Sequence, residues 1–236
     1  MKVYSIKTKI ELKGISTSTK ENEAGSDFVV SQLAKAIDVP DRNELVVDKW
    51  LEISGREGKK STLVFAANVK HIENLVAVFE SRGVRAVGVH GKTDRDERRQ
   101  IIQDFKDGEI PVIVNCGVFT EGVDIPNIDC VVMARPTKSH ILFMQMLGRG
   151  LRKAPEKTGC LVLDFFDSFS GKNLMRVPSL FGLDPSTPLE GEDILELKVE
   201  RDRKEKEKLE EEIRLVVRCC FYCFVFFLFC LFDLNS

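Results

Sequence analysis

The stretch STLVFAANVKHIENLVAVFESRGVRAVGVH, residues 61–90, decides the fold. Its first seven residues, STLVFAA, are apolar at nearly every position, the pattern of a strand covered on both faces. Over residues 69–82 the period lengthens: Ile72, Leu75, Val76 and Phe79 recur at helical spacing, and Gly83 ends the helix. VRAVGVH (84–90) is again a strand. Strand, amphipathic helix and strand make one turn of a parallel α/β unit.

Downstream the unit repeats. A helix over 94–106, with Thr93 as its cap and Ile101, Ile102 and Phe105 as its apolar stripe, closes at Asp107-Gly108. PVIVNC (111–116), IDCVVMA (128–134) and GCLVLDFF (159–166) are three more strands, with a helix over about 138–151 between the last two. Upstream, alternation over residues 3–12 predicts one strand and then a polar loop. Two helices follow, one ending near Ile37 and one opening at Pro40-Asp41, with Leu45, Val46, Trp50 and Ile53 on one side. The fold class is α/β, a doubly wound parallel sheet of about 110 to 120 residues. The expected partition is an N-terminal strand and linker (1–24), a helical lead-in (25–58), the doubly wound domain (59–170), an irregular linker (171–198), and a charged helix with an apolar tail (199–236).

Composition bounds the function. Thirty-five Lys and Arg against 37 Asp and Glu give a net charge of −2, which excludes a basic coat and makes any polyanion site local. Seven unevenly spaced Cys imply no disulfide framework and point to a reducing compartment. The first twenty residues lack both the apolar core of a secretory signal and the Arg of a mitochondrial presequence. The average hides segregation: ERDRKEKEKLEEEIR (200–214) is charged at all but two positions, whereas CCFYCFVFFLFCLF (219–232) has no charge. The charged run pairs Glu200 with Lys204 and Asp202 with Lys206 at spacing four, as a solvated helix does. For residues 215–232 two readings stay open: a marginal membrane anchor, shorter than the roughly twenty residues a span needs, or translation of an intron or a shifted frame.

In an open parallel sheet, ligands sit beyond the carboxyl ends of the strands. The helix after IDCVVMA carries QMLGRGLR (145–152), in which Gln145, Arg149 and Arg152 project from one face at i, i+4 and i+7. The planar, permanently charged guanidinium suits phosphate oxygens. Gly148 and Gly150 weaken a helix, so they imply either close backbone approach or a helix end. The competing reading is a solvated basic helix terminus. TEGVDIP (120–126) offers Asp124 to ribose hydroxyls, Thr120 to phosphate, and Gly122 for a positive φ, against the plainer reading of a polar crossover turn.

Four elements in order resemble the second RecA-like lobe of superfamily-two helicases: FAANVKHIENL (65–75), VHGKT (89–93), VNCGVFTEGVDIP (114–126) and QMLGRGLR. Within that superfamily the likeness is to ATP-dependent helicases of bacterial and mitochondrial type with an NCGVFTEG-like motif. It covers roughly residues 25–168, including NELVVDKWLE (43–52). The resemblance implies that Arg152 is an arginine finger for the γ-phosphate, Arg149 its partner, and Gln145 a link between nucleotide and nucleic acid. It places Asp124 and Gly122 at the nucleotide, and His90, Gly91, Asn115, Cys116, Gly117 and Thr120 on a DNA or RNA backbone. It also favours a mitochondrion or other organelle.

The family pattern needs a first lobe with a phosphate loop and an acidic Mg²⁺ motif. GREGKKST (55–62) has the wrong glycine spacing and runs into a strand instead of a helix, and Asp164 in LVLDFFD (161–167) reads as a strand end. ATP and Mg²⁺ are therefore expected only once a missing N-terminal RecA-like lobe completes the site, and the isolated chain is expected not to hydrolyse ATP. The alternative is a non-catalytic remnant that binds nucleic acid or a partner. His71 reads as a surface residue, no metal site is expected with three His, and the CxxC at Cys220 and Cys223 lacks a second pair.

Overall fold

The computed structural model describes residues 1–19, 26–117, 125, 128–152, 154, 157, 159–168 and 174–233, with side chains as far as Arg214. The chain divides into two compact units, Met1–Ile194 and Leu195–Ser236. The first begins with β1 (Lys2–Glu11), β2 (Thr17–Thr19), β3 (Ser26–Phe28), α1 (Val30–Ile37) and α2 (Pro40–Arg56). Then come β4 (Thr62–Phe65), α3 (Val69–Ser81), β5 (Ala86–Val89), α4 (Arg95–Lys106), β6 (Val112–Asn115) and β7 (Cys130–Met133). α5 (His140–Gly150), β8 (Leu161–Ser168), α6 (Val177–Leu180) and β9 (Glu190–Asp193) complete it.

Seven strands form one sheet in the order β5-β6-β4-β7-β8-β1-β9, parallel throughout except for β9 at the edge. The parallel α/β class predicted from residues 61–90 is what the chain adopts. Every residue of β4, β6 and β7 is buried, as strands covered on both faces must be. Val64, Val114, Val132 and Leu163 pack with Val46, Val47 and Trp50 of α2 and Ile72, Leu75 and Phe79 of α3. The Trp50 ring meets Phe79 edge-on at 5.2 Å, and its indole N–H donates to Thr62 Oγ1 at 2.9 Å. Side chains alternate across a strand, so Val131 faces the other way, toward α5.

The partition expected from sequence changes at both ends. β1 pairs with β8 from Lys2↔Leu161 to Glu11↔Ser168, and β9 pairs with β1. Residues 1–24 and 171–198, expected to lie outside the domain, therefore supply two of its seven strands. The physical reason is the flank of β8, whose hydrogen-bonding groups need a neighbour in a buried sheet. β1 brings Val3, and Leu12 follows directly after the strand, both fully buried. Under this junction lies a buried ion pair: the Arg42 guanidinium grips Asp167 through Nε–Oδ1 and Nη2–Oδ2, both 2.9 Å, and donates to Ala134 O at 2.8 Å. Thr8 Oγ1 also donates to Asp167. One carboxylate thus ties together β1, α2 and β8.

Three smaller expectations are corrected. Asp94, not Thr93, caps α4, accepting from Asp96 N at 2.8 Å and Glu97 N at 3.3 Å, and these amides hold its carboxyl below the usual range. A carboxylate complements the helix N-terminus better than a hydroxyl does. Asp164 lies inside β8, not at its end, and is buried. His71 is fully buried. Its Nδ1 accepts from Ala67 N at 3.2 Å, which leaves Nε2 to donate to Asn43 Oδ1 at 3.1 Å. Asn43 and Asn74 both donate to Asp38, so a polar network joins α2 to α3 where an apolar stripe alone was expected.

The second unit is α7 (Ile194–Asp233), which begins on the last residue of the first. Its charged part makes pairs at i, i+4, among them the expected Lys204–Glu200 at 2.7 Å, with Arg201–Glu205 at 3.5 Å. Asp202, expected to pair with Lys206, lies against Arg201 at 2.6 Å. Among the described residues no helix is long and apolar enough to cross a membrane. The side chains of 215–232, including Cys220 and Cys223, lie outside the description.

Candidate functional site

α5 is built to hold its two ends. Ser139 caps the start, its Oγ accepting from Leu142 N at 3.2 Å. Phe143, Met146, Leu147 and Gly150, at i, i+3, i+4 and i+7, are buried, and this face fastens the helix to the sheet. Gln145 and Arg149 fall on the neighbouring face, Arg152 lies just past the helix end, and all three are half-buried.

The two glycines differ. A Cβ on Gly150 would stand 2.6 Å from Val131 Cγ2 and collide with Cys160 Sγ, so close backbone approach explains this glycine. Around Gly148 a Cβ would meet nothing within 4 Å. Past the helix end the Lys157 ammonium donates to the carbonyls of Gly150 and Arg152, the latter at 3.0 Å. It satisfies carbonyls that have no partner within the helix and places positive charge at the negative end of its dipole. Burial foremost pulls the Lys157 ammonium below its ordinary value. Sequence reasoning passed over Lys157; a cation shortly after a helix terminus is the signal that could have found it. Burial also pushes the neighbouring Cys160 thiol up to about 11, so it stays a packing group.

The candidate residues separate into two places. β4, β5 and β6 are in register at Phe65↔Asn115 and Val89↔Asn115, so His90, Gly91, Cys116 and Gly117 follow at the carboxyl edge of the sheet. α5 starts at that edge but runs back across the sheet, because Gly150 packs on Val131, early in β7, and on Cys160, just before β8. Arg149 and Arg152 are thus carried away from the edge where His90 and Cys116 stand. Sequence reading had grouped all of these residues after strand ends.

At the carboxyl edge the loop after β5 is well braced. His90 N donates to Thr93 Oγ1 at 3.0 Å, its ring Nδ1 accepts from Lys92 N at 3.2 Å, and Arg98 donates to the carbonyls of His90 and Thr93. Gly91 is exposed. Gly117 is exposed with φ +66°, in the left-handed region. Cys116 is half-buried, and burial raises its thiol while the Arg135 charge lowers it. Asn115 departs from the expected surface role: it is fully buried, and its amide donates to Val64 O at 2.9 Å, stitching β6 to β4. A residue so enclosed cannot meet a phosphate in this conformation. Arg135 is engaged by Asp27 at 2.7 Å, whose other oxygen accepts from Lys138 N at 2.9 Å. Thr120, Gly122 and Asp124 lie outside the described residues.

The false phosphate loop is structurally explicit. α2 runs to Arg56, Gly58 turns the chain at φ +64°, and β4 opens at Thr62. The amides of Lys60 and Ser61 donate to the Asp129 carboxylate, each at 3.0 Å, so these two N–H groups are already taken up by an anion of the chain itself. Asp164 is equally unlike a Mg²⁺ carboxylate. Burial pushes it up to about 6 against the opposing Arg176 charge, and Val177 N donates to it at 3.2 Å. Among the described residues no group of three or more His, Cys, Asp or Glu could hold a metal ion.

The chain is similar to known proteins. The helicase conserved C-terminal domain family matches residues 42–154. The Saccharomyces cerevisiae protein named putative ATP-dependent helicase IRC3 is 36% identical over 182 residues, 77% of this chain and 25% of its own length. A Schizosaccharomyces pombe protein named putative mitochondrial ATP-dependent helicase irc3 is 48% identical over 136 residues, 58% of this chain and 22% of its own. The solved Escherichia coli DEAD-box protein SrmB, bound to regulator of ribonuclease activity A, aligns over 53% of this chain and 72% of that one, at 17% identity and TM-score 0.47. The chain spans about a quarter of the length of the two yeast relatives.

Proposed function

Residues 42–154 make this chain a member of the superfamily-two helicases through its C-terminal, RecA-like domain, and from that membership we propose that it is the carboxyl-side motor lobe of an ATP-dependent helicase or translocase. In this reading Arg152 is the arginine finger, Arg149 its companion at the phosphates, and Gln145 the link between nucleotide and nucleic acid. Asp124 and Gly122 belong to the nucleotide, and His90, Gly91, Cys116, Gly117 and Thr120 to a DNA or RNA backbone, with Asn115 acting from beneath as a brace. ATP and Mg²⁺ bind when an N-terminal RecA-like lobe supplies the phosphate loop and the acidic metal motif. A mitochondrial location is supported by the name of the fission-yeast relative.

The observation that carries this reading is the end of α5. Gly150 is jammed onto the sheet, and Lys157 closes the terminal carbonyls, so two guanidiniums leave from a fixed backbone. Phosphoryl transfer asks little more of a second lobe than positioned positive charge, and an arginine finger is worth roughly 10³ to 10⁵ in rate. Separating these arginines from the carboxyl edge also suits a motor, in which nucleotide and nucleic acid occupy different surfaces of one lobe.

The test adds an N-terminal RecA-like lobe in trans and measures ATP hydrolysis with and without single- and double-stranded nucleic acid. The expected result is no ATPase from the chain alone, restored turnover with the added lobe, and loss of that turnover in Arg152→Ala. Hydrolysis by the chain alone that Lys59→Ala abolishes would overturn the assignment of 55–62 as a mere turn. Duplex binding indifferent to Arg152→Ala, with no turnover under any condition, would instead identify a non-catalytic binding remnant.

A further inference from the structure

α7 carries an apolar seam with a charged centre. Leu195, Val199, Leu209 and Ile213 are 53%, 69%, 57% and 54% exposed, unusual for large aliphatic side chains. Their spacing is that of alternating d and a positions in a heptad, and the same register puts Asp202 at d and Lys206 at a between the two apolar pairs. Elsewhere the charged part of the helix is solvated by its own i, i+4 pairs, so among the described residues the seam stands out as an exposed apolar face.

The order of residues along the seam is self-complementary when reversed. With a two-fold axis beside Lys204, Leu195 faces Ile213 of a second copy, Val199 faces Leu209, and Asp202 faces Lys206, each twice. A parallel pair would set Asp202 on Asp202 and Lys206 on Lys206, placing like charges in the seam. At the flanks, Lys198 meets Glu212 in the antiparallel arrangement. Arg203 and Glu205 meet their own counterparts, but each is neutralised on its own helix, Arg203 by Glu207 at 3.9 Å and Glu205 by Arg201 at 3.5 Å. Glu196 opposite Glu210 is the one like-charge pair without such relief among the described ion pairs, and it sits at the solvated rim where salt screens it. In the single chain the Asp202 carboxylate turns to Arg201 at 2.6 Å, within the same helix, so pairing asks only for a change of partner.

We propose that residues 195–213 are an interaction surface for a second copy of this chain, which they bind as an antiparallel two-stranded coiled coil centred on reciprocal Asp202–Lys206 pairs. At about 1.5 Å per residue the paired length is roughly 28 Å. The charged layer fixes register and direction, as a polar layer in a coiled-coil seam does, and the four aliphatic layers supply cohesion.

The test is sedimentation equilibrium of the full-length chain and its charge-swap variants. Asp202→Lys alone and Lys206→Asp alone each leave like charges facing one another and weaken self-association at least about tenfold. An equimolar mixture of the two recovers it, because each layer then pairs Lys with Asp. Assembly unchanged in the single variants, or a mixture no stronger than its components, overturns the proposal, as does a wild-type chain that stays monomeric at about 100 µM. Direction is read by mixing Val199→Cys with Leu209→Cys and mapping the disulfide by mass spectrometry. A 199–209 link is expected, and a 199–199 link refutes the antiparallel arrangement.

Discussion

Replacing each of the two glycines of QMLGRGLR by alanine separates contact from propensity. Alanine is favoured over glycine inside a helix by about 1 kcal/mol, and both positions gain from this. At Gly148 nothing lies within 4 Å of the added methyl, so Gly148→Ala stabilises the fold by up to ~1 kcal/mol. At Gly150 the methyl would be 2.6 Å from Val131 Cγ2 and would collide with Cys160 Sγ. Ordinary contact begins near 3.4 Å, so the helix end must lift by roughly 1 Å from a strand that is itself fully buried. Overpacking of this kind costs about 1 to 3 kcal/mol, which outweighs the helix gain and leaves Gly150→Ala destabilised by up to ~2 kcal/mol. Chemical denaturation of the two variants reads the difference, and equal stabilisation by both would refute the close approach. The same lift moves Arg149 and Arg152, so in the two-lobe ATPase assay Gly150→Ala loses turnover far beyond its loss of stability, whereas Gly148→Ala keeps it.

Three further outcomes follow from described contacts. Arg42→Ala leaves the buried Asp167 carboxylate without its guanidinium and costs ~3 to 5 kcal/mol, and Arg42→Lys does not restore it, since one ammonium cannot reproduce the two-pronged grip; denaturant midpoints check both. Burial holds His71 at about 4 against an ordinary 6.5, so the unfolded chain binds its proton first and stability falls as pH drops from about 6.5 to 4. The loss is ~3 kcal/mol. Asp164, raised to about 6 from 3.8, acts in the opposite sense and adds stability as pH falls through 6. His71→Gln should therefore flatten the acid limb of a stability–pH curve and Asp164→Asn should steepen it; two curves parallel to the wild type would sink both assignments. Lys157→Met uncaps the Gly150 and Arg152 carbonyls, lowering stability by ~1 kcal/mol in thermal melts and reducing ATPase in the two-lobe assay.

The central strands were legible because burial on both faces leaves a mark on every residue of a segment such as TLVF or VIVN, and helices such as 69–81 carry their period within a few turns. That Gln145 and Arg149 share one helix face was legible for the same reason, since positions four apart need no knowledge of the rest of the chain, whereas Arg152, expected on that face, falls past the end of α5. What escaped depends on distant partners. Nothing near residues 2–11 says that this strand lies beside residues 161–168, and a short strand such as 190–193 has too few positions to show a period. His71 looked like a surface residue because its acceptor, Asn43, lies on another helix. Asn115 looked like a contact residue because a polar side chain at a strand end reads as exposed until the carbonyl of Val64 is seen beside it. Asp94 over Thr93 at the cap was the narrower failure, a choice between adjacent residues that both suit a helix start.

The place of β1 also sets a timetable. Its Thr8 is joined to Asp167, 159 residues later in the chain, and it pairs with β8 over Lys2–Lys7 and again at Glu11. At synthesis rates of about 5 to 20 residues per second, the strand waits roughly 8 to 30 s after emerging from the ribosome before its neighbour exists. Throughout that interval it is an unpaired extended segment with Val3, Ile6, Ile10 and Leu12 along it, the composition that invites pairing with other nascent chains. Lys2, Lys7, Lys9 and Glu11, which are exposed in the finished sheet, are interleaved with these residues and keep such pairings unfavourable. This strand is thus made long before it is folded, and its charges serve the chain before its hydrogen bonds do.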